Sequence, residues 1–143
     1  SEGENEVRWN FKWGSKFVNY NSRRLSFNNQ GHTLAPVYLE IDGPVEDPEI
    51  TITDSNNNQL FHLKVEIQIL KYEKFIYSSM DGNIRIAKQN IDGTYTSLFT
   101  NQYIDITNNN IFKLPQGVSN IIIQANDDIM SASLNIYPYY KSI

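Results

Sequence analysis

A strict alternation of apolar and polar side chains between residues 60 and 70 is the feature that most restricts the fold of this chain. Apolar side chains occupy every second position, in the series Phe61, Leu63, Val65, Ile67 and Ile69. Successive side chains of a β-strand point to opposite faces, so a period of two predicts a strand with one buried and one solvated face. We expect one long strand over residues 60–70.

Shorter alternating segments lie on both sides of this strand, and turn residues separate them. The further predicted strands cover residues 35–41, 49–53, 75–77, 83–88, 95–99, 111–114, 120–125 and 132–137. The Asn-rich residues 54–58 predict a hairpin into the long strand, and Asp81-Gly82 and Asp92-Gly93 predict two more, because glycine accepts a positive φ without steric cost. The pattern predicts an all-β domain of about nine strands, an antiparallel β-sandwich or a jelly roll.

Composition agrees with this fold class. The chain contains 18 Ile and 18 Asn but only 4 Ala, and it adds 9 Tyr and 7 Phe. Isoleucine and aromatic residues suit half-buried strands, asparagine suits turns, and alanine, the best helix former, is scarce. An AT-rich genome also enriches Ile and Asn whatever the fold, so the alternation carries more weight than the composition.

Charge and cysteine content exclude several classes of partner and site. With 12 basic and 16 acidic residues the formal net charge is −4, which opposes binding to nucleic acid and to anionic membranes. No apolar run approaches the roughly 18 residues of a membrane span, so we expect no membrane insertion. The absence of Cys excludes disulfides and thiolate metal sites. The chain begins at Ser1 rather than Met, so we expect either a fragment of a longer protein or a processed chain.

Few residues offer enzyme or metal chemistry. His32 lies in a predicted turn and His62 on the polar face of the long strand, where a hydrogen-bonded or solvated role is expected. Residues 54–58 begin like a calcium-binding loop, but Gln59 stands where glycine is required and Val65 where the bidentate Glu is required. We therefore predict no catalytic residues, no metal site and no cofactor.

Paired carboxylates are the remaining route to an enzyme, because glycosidases use two acids that face one sugar. The candidate pairs are Asp42 with Asp47, Asp81 with Asp92, and Asp127 with Asp128. Each pair lies in a turn context, where Asp is common because its side chain bonds the nearby backbone. An enzyme acting on the cell wall is therefore the least favoured of the functional hypotheses.

Aromatic residues near the two ends of the chain are the candidate contact residues for a partner protein or a saccharide. They are Trp9, Trp13, Tyr137, Tyr139 and Tyr140. Large aromatic side chains in polar segments require cover from the domain itself or from a partner. We predict that residues 1–24 form an extended arm, a linker or an edge strand, and that residues 25–143 form the sandwich.

The order of several segments resembles the C-terminal domain of siphophage tail components, the distal tail protein family. The segments that carry the resemblance are residues 25–31, 35–43, 47–50, 114–123, 133–137 and 139–140. The first three resemble the family's opening series of asparagine and glycine, a small residue, proline, an alternating strand, glycine and proline. The last three resemble its closing series of leucine, proline, glycine, asparagine and apolar strands. These segments bracket residues 25–143.

The resemblance implies a galectin-like β-sandwich without catalytic residues or cofactors. In full-length members an N-terminal domain closes a hexameric ring at the tail tip, and that ring carries receptor-binding or baseplate proteins. The first 24 residues here are too short for a ring-forming domain, so a homo-oligomeric ring is expected only of a full-length protein.

The expected function is that of a structural phage or prophage tail or baseplate domain, assembled in the bacterial cytoplasm and located in the virion tail. It would attach neighbouring tail or receptor-binding proteins. The alternative is a carbohydrate-binding module that recognises host cell-wall saccharide on an aromatic and amide-rich face.

Overall fold

A computed structural model describes residues 2–4, 7–12, 22–127, 129 and 131–141 of the chain. These residues form fourteen β-strands and no helix, which confirms the predicted all-β class. Within them there is accordingly no helical segment with the length and apolarity to cross a membrane. In chain order the strands are β1 (Glu2–Glu4), β2 (Val7–Lys12), β3 (Ser22–Asn29), β4 (Val37–Asp42), β5 (Val45–Glu46), β6 (Glu49–Asp54), β7 (Gln59–Lys64), β8 (Gln68–Ile69), β9 (Lys74–Met80), β10 (Asn83–Gln89), β11 (Tyr95–Ser97), β12 (Gly117–Gln124), β13 (Ser131–Ile136) and β14 (Tyr139–Lys141).

Two antiparallel sheets account for most of these strands. A six-stranded sheet has the order β11-β10-β9-β4-β13-β2, and a four-stranded sheet has the order β3-β12-β6-β7. Two short ribbons, β1 with β14 and β5 with β8, complete the pairing. Apolar residues from both large sheets form one buried cluster. The predicted antiparallel β-sandwich is confirmed, and nine of its strands have six residues or more.

The core lies between the sheets because strand register places apolar side chains side by side. In the six-stranded sheet Leu39 lies opposite both Tyr77 and Leu134 on its two neighbours. In the four-stranded sheet Ile52 lies opposite Ile121. All five side chains are at most 2% exposed. Full burial of a side chain of this size contributes about 1.5–3 kcal/mol.

All three predicted hairpins are confirmed. The β9–β10 turn uses Asp81-Gly82 and the turn before β11 uses Asp92-Gly93, with glycine φ values of 75° and 88°. Residues 54–58 connect β6 to β7, and Asn57 takes a φ of 64° there. Asparagine tolerates this left-handed conformation better than most residues with a side chain.

The prediction of one long strand over residues 60–70 is wrong. β7 ends at Lys64, the next two amides donate to the carbonyls of Pro48 and Tyr103, and the chain rejoins a sheet ribbon only in β8. Val65 and Ile69 are nevertheless fully buried. Apolar side chains still alternate beyond Lys64 because Val65 and Ile69 enter the same core, although the backbone no longer pairs with β6.

The predicted strand over residues 111–114 is also wrong. Only Leu114 pairs, in an isolated bridge with Ala35. The amide of Phe112 donates to the side-chain hydroxyl of Tyr77 at 2.9 Å, and not to a neighbouring strand. A side chain from the core thus replaces the ladder partner that a strand would need.

The first described residues belong to the sheets. β2 forms the outer strand of the six-stranded sheet and pairs with β13, and Trp9 lies opposite Leu134 in that register. β3 begins at Ser22 and forms one edge of the four-stranded sheet. Residues 7–12 and 22–24, part of the segment predicted as an arm, a linker or an edge strand, therefore lie in edge strands.

Candidate functional site

The long connection between β11 and β12, residues 98–116, is bound tightly to the sandwich. Phe112 stacks on the buried ring of Phe61, with 5.3 Å between centroids and 16° between the ring planes. Tyr77 accepts the Phe112 amide hydrogen bond, and burial raises the pKa of the Tyr77 phenol far above its ordinary value, so the hydroxyl stays neutral. Leu98 and Ile104 are buried in the same cluster. Loops held this way are common carriers of binding residues.

One stretch of this connection separates two grooves of different chemistry. Asn108 and Asn110 line one groove, whereas Asn109 and Ile111 line the other. Successive residues from Asn108 to Ile111 thus line different grooves, whereas the next two residues, Phe112 and Lys113, both line the second one.

The first groove, called here the amide groove, has a volume of about 520 Å³. It is lined by His62, Leu63, Lys64, Glu66, Asn101, Tyr103, Ile104, Asp105, Asn108 and Asn110. The second, called the apolar groove, has a similar volume of about 520 Å³. It is lined by Leu34, Leu60, Asn109, Ile111, Phe112, Lys113 and Pro115.

A third groove, called the tyrosine groove, adjoins the apolar groove. It has a volume of about 410 Å³, and it shares Leu34 and Lys113 with the apolar groove. Its lining residues are Thr33, Leu34, Pro36, Asp81, Lys113, Tyr137 and Tyr139. The Lys113 ammonium donates to the Asp81 carboxylate at 2.5 Å on its rim.

Backbone contacts position the two tyrosines of this groove. The Tyr137 amide donates to the Pro36 carbonyl at 3.0 Å, and the His32 amide donates to the Tyr139 carbonyl at 2.7 Å. At Gly31 a Cβ atom would lie 2.6 Å from that same Tyr139 oxygen, so only glycine fits. The turn before β4 is therefore packed directly against the start of β14.

The five aromatic residues predicted from the sequence have different places in the structure. Tyr137 and Tyr139 come together in the tyrosine groove. Tyr140 lies on β14 with its backbone opposite Gly3, and Trp9 lies on β2. Trp13 is outside the described residues.

Two important lining residues were not identified from the sequence. Leu34 is 55% exposed and connects the apolar and tyrosine grooves. Its only signal is an apolar residue within a polar turn. Asn110 is 4% exposed, but residues 108–110 have the composition of an ordinary loop tip, and that composition hides a buried amide.

A hydrogen-bonded cluster on the four-stranded sheet reaches the amide groove. The Nε2 atom of His62 contacts the Glu49 carboxylate, and Gln124 donates to the other Glu49 oxygen at 3.0 Å. Burial acts to raise the pKa of Glu49, but the hydrogen bonds from Gln124 and His62, with the positive charges of His62 and Lys64, outweigh it and hold the pKa below its ordinary value. Glu49 is therefore ionised at neutral pH.

The residues that begin like a calcium-binding loop form a closed turn. One Asp54 carboxylate oxygen accepts the Asn56 and Asn58 amides at 2.8 and 2.9 Å, and the other accepts the Asn58 side chain at 3.0 Å. These hydrogen bonds lower the pKa of Asp54. Among the described residues no group of three or more His, Cys, Asp or Glu could hold a metal ion.

The predicted carboxylate pairs have other partners. Each described member bonds or pairs with a group that is not a carboxylate: Lys113 for Asp81, Thr94 for Asp92, Lys74 for Asp42, Asn126 for Asp47 and the Glu46 amide for Asp127. Asp128 is outside the described residues. These contacts tie together turns and strand ends.

Comparison with known proteins adds no relative to this description. No family model matches the chain, and no curated protein matches it. Function is therefore inferred from the strand pairing, the grooves and their charges.

Proposed function

We propose that this chain is a structural β-sandwich module of a phage or prophage tail or baseplate, located in the virion tail, which attaches neighbouring tail or receptor-binding proteins. The observation that carries the proposal is the pairing of the segments that resemble the distal tail protein family. Leu25 lies opposite Ile121, and Asn29 lies opposite Gly117, in the β3–β12 pair. The second pair of such segments forms the adjacent strands β4 and β13.

The same segments also meet where the chain passes from one sheet to the other. Ala35 and Leu114 exchange two backbone hydrogen bonds of 2.8 and 2.7 Å. The buried Asn29 side chain donates to the Leu114 carbonyl at 3.1 Å, and Gly31 packs against Tyr139. Pairing between these segments is what a shared fold requires.

The adjoining apolar and tyrosine grooves supply a suitable contact surface. Leu34 is 55% exposed and Leu60 is 38% exposed, and they lie beside half-buried Phe112 and Tyr137. Protein interfaces combine an apolar and aromatic centre with a polar rim, and here the Asp81–Lys113 ion pair provides part of that rim. The role of this surface is positional, since it needs shape and apolar area but no reacting group.

Two matched substitutions test this function. Leu34→Glu places a charge in the centre of the proposed contact, whereas Leu70→Glu makes the same change at a residue of equal exposure, 54% against 55%, that does not line these grooves. We expect the products of genes flanking its own gene to co-purify with the wild-type chain and with Leu70→Glu. We expect Leu34→Glu to weaken that association at least about tenfold, because a charge buried at an interface is costly.

Circular dichroism and thermal unfolding of both variants serve as the folding control. The proposal fails if no tail or baseplate protein is encoded beside this chain or associates with it. The assignment of the contact surface fails if both variants associate like the wild type.

A further inference from the structure

The amide groove differs from the proposed assembly surface in its chemistry. Asn101, Asn108 and Asn110 present amide groups, and each amide contains both hydrogen-bond donors and an acceptor. Leu63 and Ile104 form buried apolar parts of the lining, and the half-buried Tyr103 ring lies with them. Apolar surface together with a few fixed polar groups is the usual make-up of a small-molecule site.

Asn110 lines this groove and has a buried side-chain oxygen without a hydrogen-bond partner among the described residues. The residue is 4% exposed, and its Oδ1 atom has no hydrogen-bond partner among the described residues. A buried acceptor without a donor is destabilising, and native proteins contain few of them. A hydroxyl group on a ligand would supply the missing donor.

Neighbouring residues on both sides of Asn110 are held in place before any ligand arrives. Two residues after Asn110, the Phe112 amide donates a hydrogen bond to the Tyr77 hydroxyl, and the Phe112 ring is stacked on Phe61. On the other side of Asn110, the Asp105 carboxylate binds the Asn108 side chain at 3.2 Å. A site that is already ordered loses less entropy on binding.

The charges in the groove favour an uncharged ligand. The groove contains one lysine, Lys64, and two carboxylates, Glu66 and Asp105, so it holds charges of both signs. Asp105 already accepts hydrogen bonds from Thr107 and Asn108, and His62 already contacts Glu49. A phosphate or polyanion would meet the two carboxylates, and a cation would meet the lysine.

We propose that the amide groove binds a neutral saccharide. A sugar ring has hydroxyl groups that both donate and accept, and it has C–H faces that pack on apolar and aromatic side chains. In this groove a hydroxyl donates to Asn110 Oδ1, further hydroxyls bond to Asn101 and Lys64, and a C–H face lies on Tyr103. This site is separate from Tyr137 and Tyr139, the tyrosines that the sequence suggested for such binding.

The experiment is a titration of the ¹⁵N-labelled chain with a panel of neutral sugars, namely glucose, galactose, rhamnose, N-acetylglucosamine and N-acetylgalactosamine, with glucuronate and inorganic phosphate as charged comparisons. We expect at least one neutral sugar to shift the amide signals of residues 101–110 with a dissociation constant below about 10 mM, and the charged probes to leave them unchanged. The proposal is overturned if no neutral sugar shifts these signals, or if the shifts map to the tyrosine groove.

Two asparagine variants make this test specific. Asn110→Leu keeps the branched shape of the side chain but removes the acceptor and the donors of the amide, so saccharide binding should weaken about tenfold. Asn109→Leu makes the same change at the adjacent residue, which lines the apolar groove, and binding should stay within about twofold. Equal binding by Asn110→Leu and the wild type overturns the proposal, since an ordered water would then account for the unpaired oxygen.

A third variant covers the case in which Asn110→Leu does not fold. Asn101→Ala changes an exposed residue of the same groove and is expected to fold normally. It should weaken binding of the same sugar by about threefold or more, and unchanged binding would contradict the proposal.

Discussion

The apolar groove and the amide groove lie on either side of one stretch of backbone, residues 108–111, yet they have opposite chemistry. The apolar groove presents Leu34 and Leu60, whereas the amide groove presents three asparagines among charges of both signs. Residues 108–111 line the two grooves in turn, and Phe112 and Lys113 then both line the apolar groove. A single anchored segment can therefore serve two surfaces, and the two surfaces should respond independently to most substitutions.

The largest effect on both grooves is expected from a substitution of the core residue that holds the connection between β11 and β12 in place. Phe61 lies under the connection, 5 % exposed, with its ring centroid 5.3 Å from that of Phe112 and 5.8 Å from that of Tyr77. Phe61→Ala should lower the free energy of unfolding by about 3–5 kcal/mol, because it removes a large buried ring and leaves a cavity. It should also weaken both saccharide binding and association with tail proteins.

Urea unfolding measures the stability change. Phe99→Ala is the matched control, because Phe99 is 45% exposed and should lose less than about 1 kcal/mol. A Phe61→Ala protein that loses only one of the two binding functions would show that the grooves do not depend on the same anchor.

A substitution at Gly31 should affect the tyrosine groove but not the amide groove. The Cβ of alanine would lie 2.6 Å from the Tyr139 carbonyl oxygen, so Gly31→Ala must displace the tyrosine groove and should cost about 1–3 kcal/mol. The amide groove should retain its saccharide affinity. Thermal unfolding and the same titration provide the two measurements.

Gly82→Ala separates a steric clash from backbone strain. Nothing lies within 4 Å of a Cβ at Gly82, but its φ of 75° is unfavourable for alanine. This variant should therefore lose about 1–2 kcal/mol without shifting the amide signals of residues 137–139. Similar shifts in both variants would contradict the assignment of Gly31 to the tyrosine groove.

A change of pH should have the smallest effect on stability. The groups concerned are Glu49 and Asp105, which lie beside or in the amide groove. The pKa of Glu49 lies below its ordinary value of 4.5, and hydrogen bonds from Thr107 hold the pKa of Asp105 below 3.8. A carboxyl group with a lowered pKa in the folded state stabilises the fold above its unfolded pKa and loses that contribution as the pH falls through the folded value. Stability should therefore be level from neutral pH down to about pH 4.5 and should decline below it.

Two variants around Glu49 check this origin. Glu49→Gln should make the decline below pH 4.5 shallower, because the titrating group is gone. Gln124→Leu removes a donor to Glu49, so it should shift part of the decline towards higher pH. Identical acid unfolding curves for the wild type and both variants would exclude Glu49 as the cause.

The sequence predicts local features of this fold better than its long-range pairings. The Asp81-Gly82 and Asp92-Gly93 hairpins were predictable because turn chemistry is local, and the burial of Val65 and Ile69 followed from the period of two. The break after Lys64 was not predictable, since the alternation continues through it while the amides bond to distant carbonyls. Periodicity reports which face is buried and not which strand is the neighbour.

The candidate site was predictable only in part for the same reason. Tyr137 and Tyr139 were selected as aromatic residues in a polar segment, and the structure brings these two candidates together in one groove, while their role in binding stays a prediction. Leu34 and Asn110 acquire their importance from contacts with residues far away in the chain, such as Lys113 beside Leu34 and His62 across the amide groove. Neither has a distinguishing local pattern.

The most direct test of the account is to measure both binding functions in both single variants, Leu34→Glu and Asn110→Leu. Association with the flanking tail proteins and titration with the best neutral sugar are each compared with the wild type. We predict that Leu34→Glu loses protein association and keeps saccharide affinity within about twofold, and that Asn110→Leu shows the reverse. Parallel loss of both functions in either folded variant would contradict the central claim that one backbone segment divides two independent surfaces.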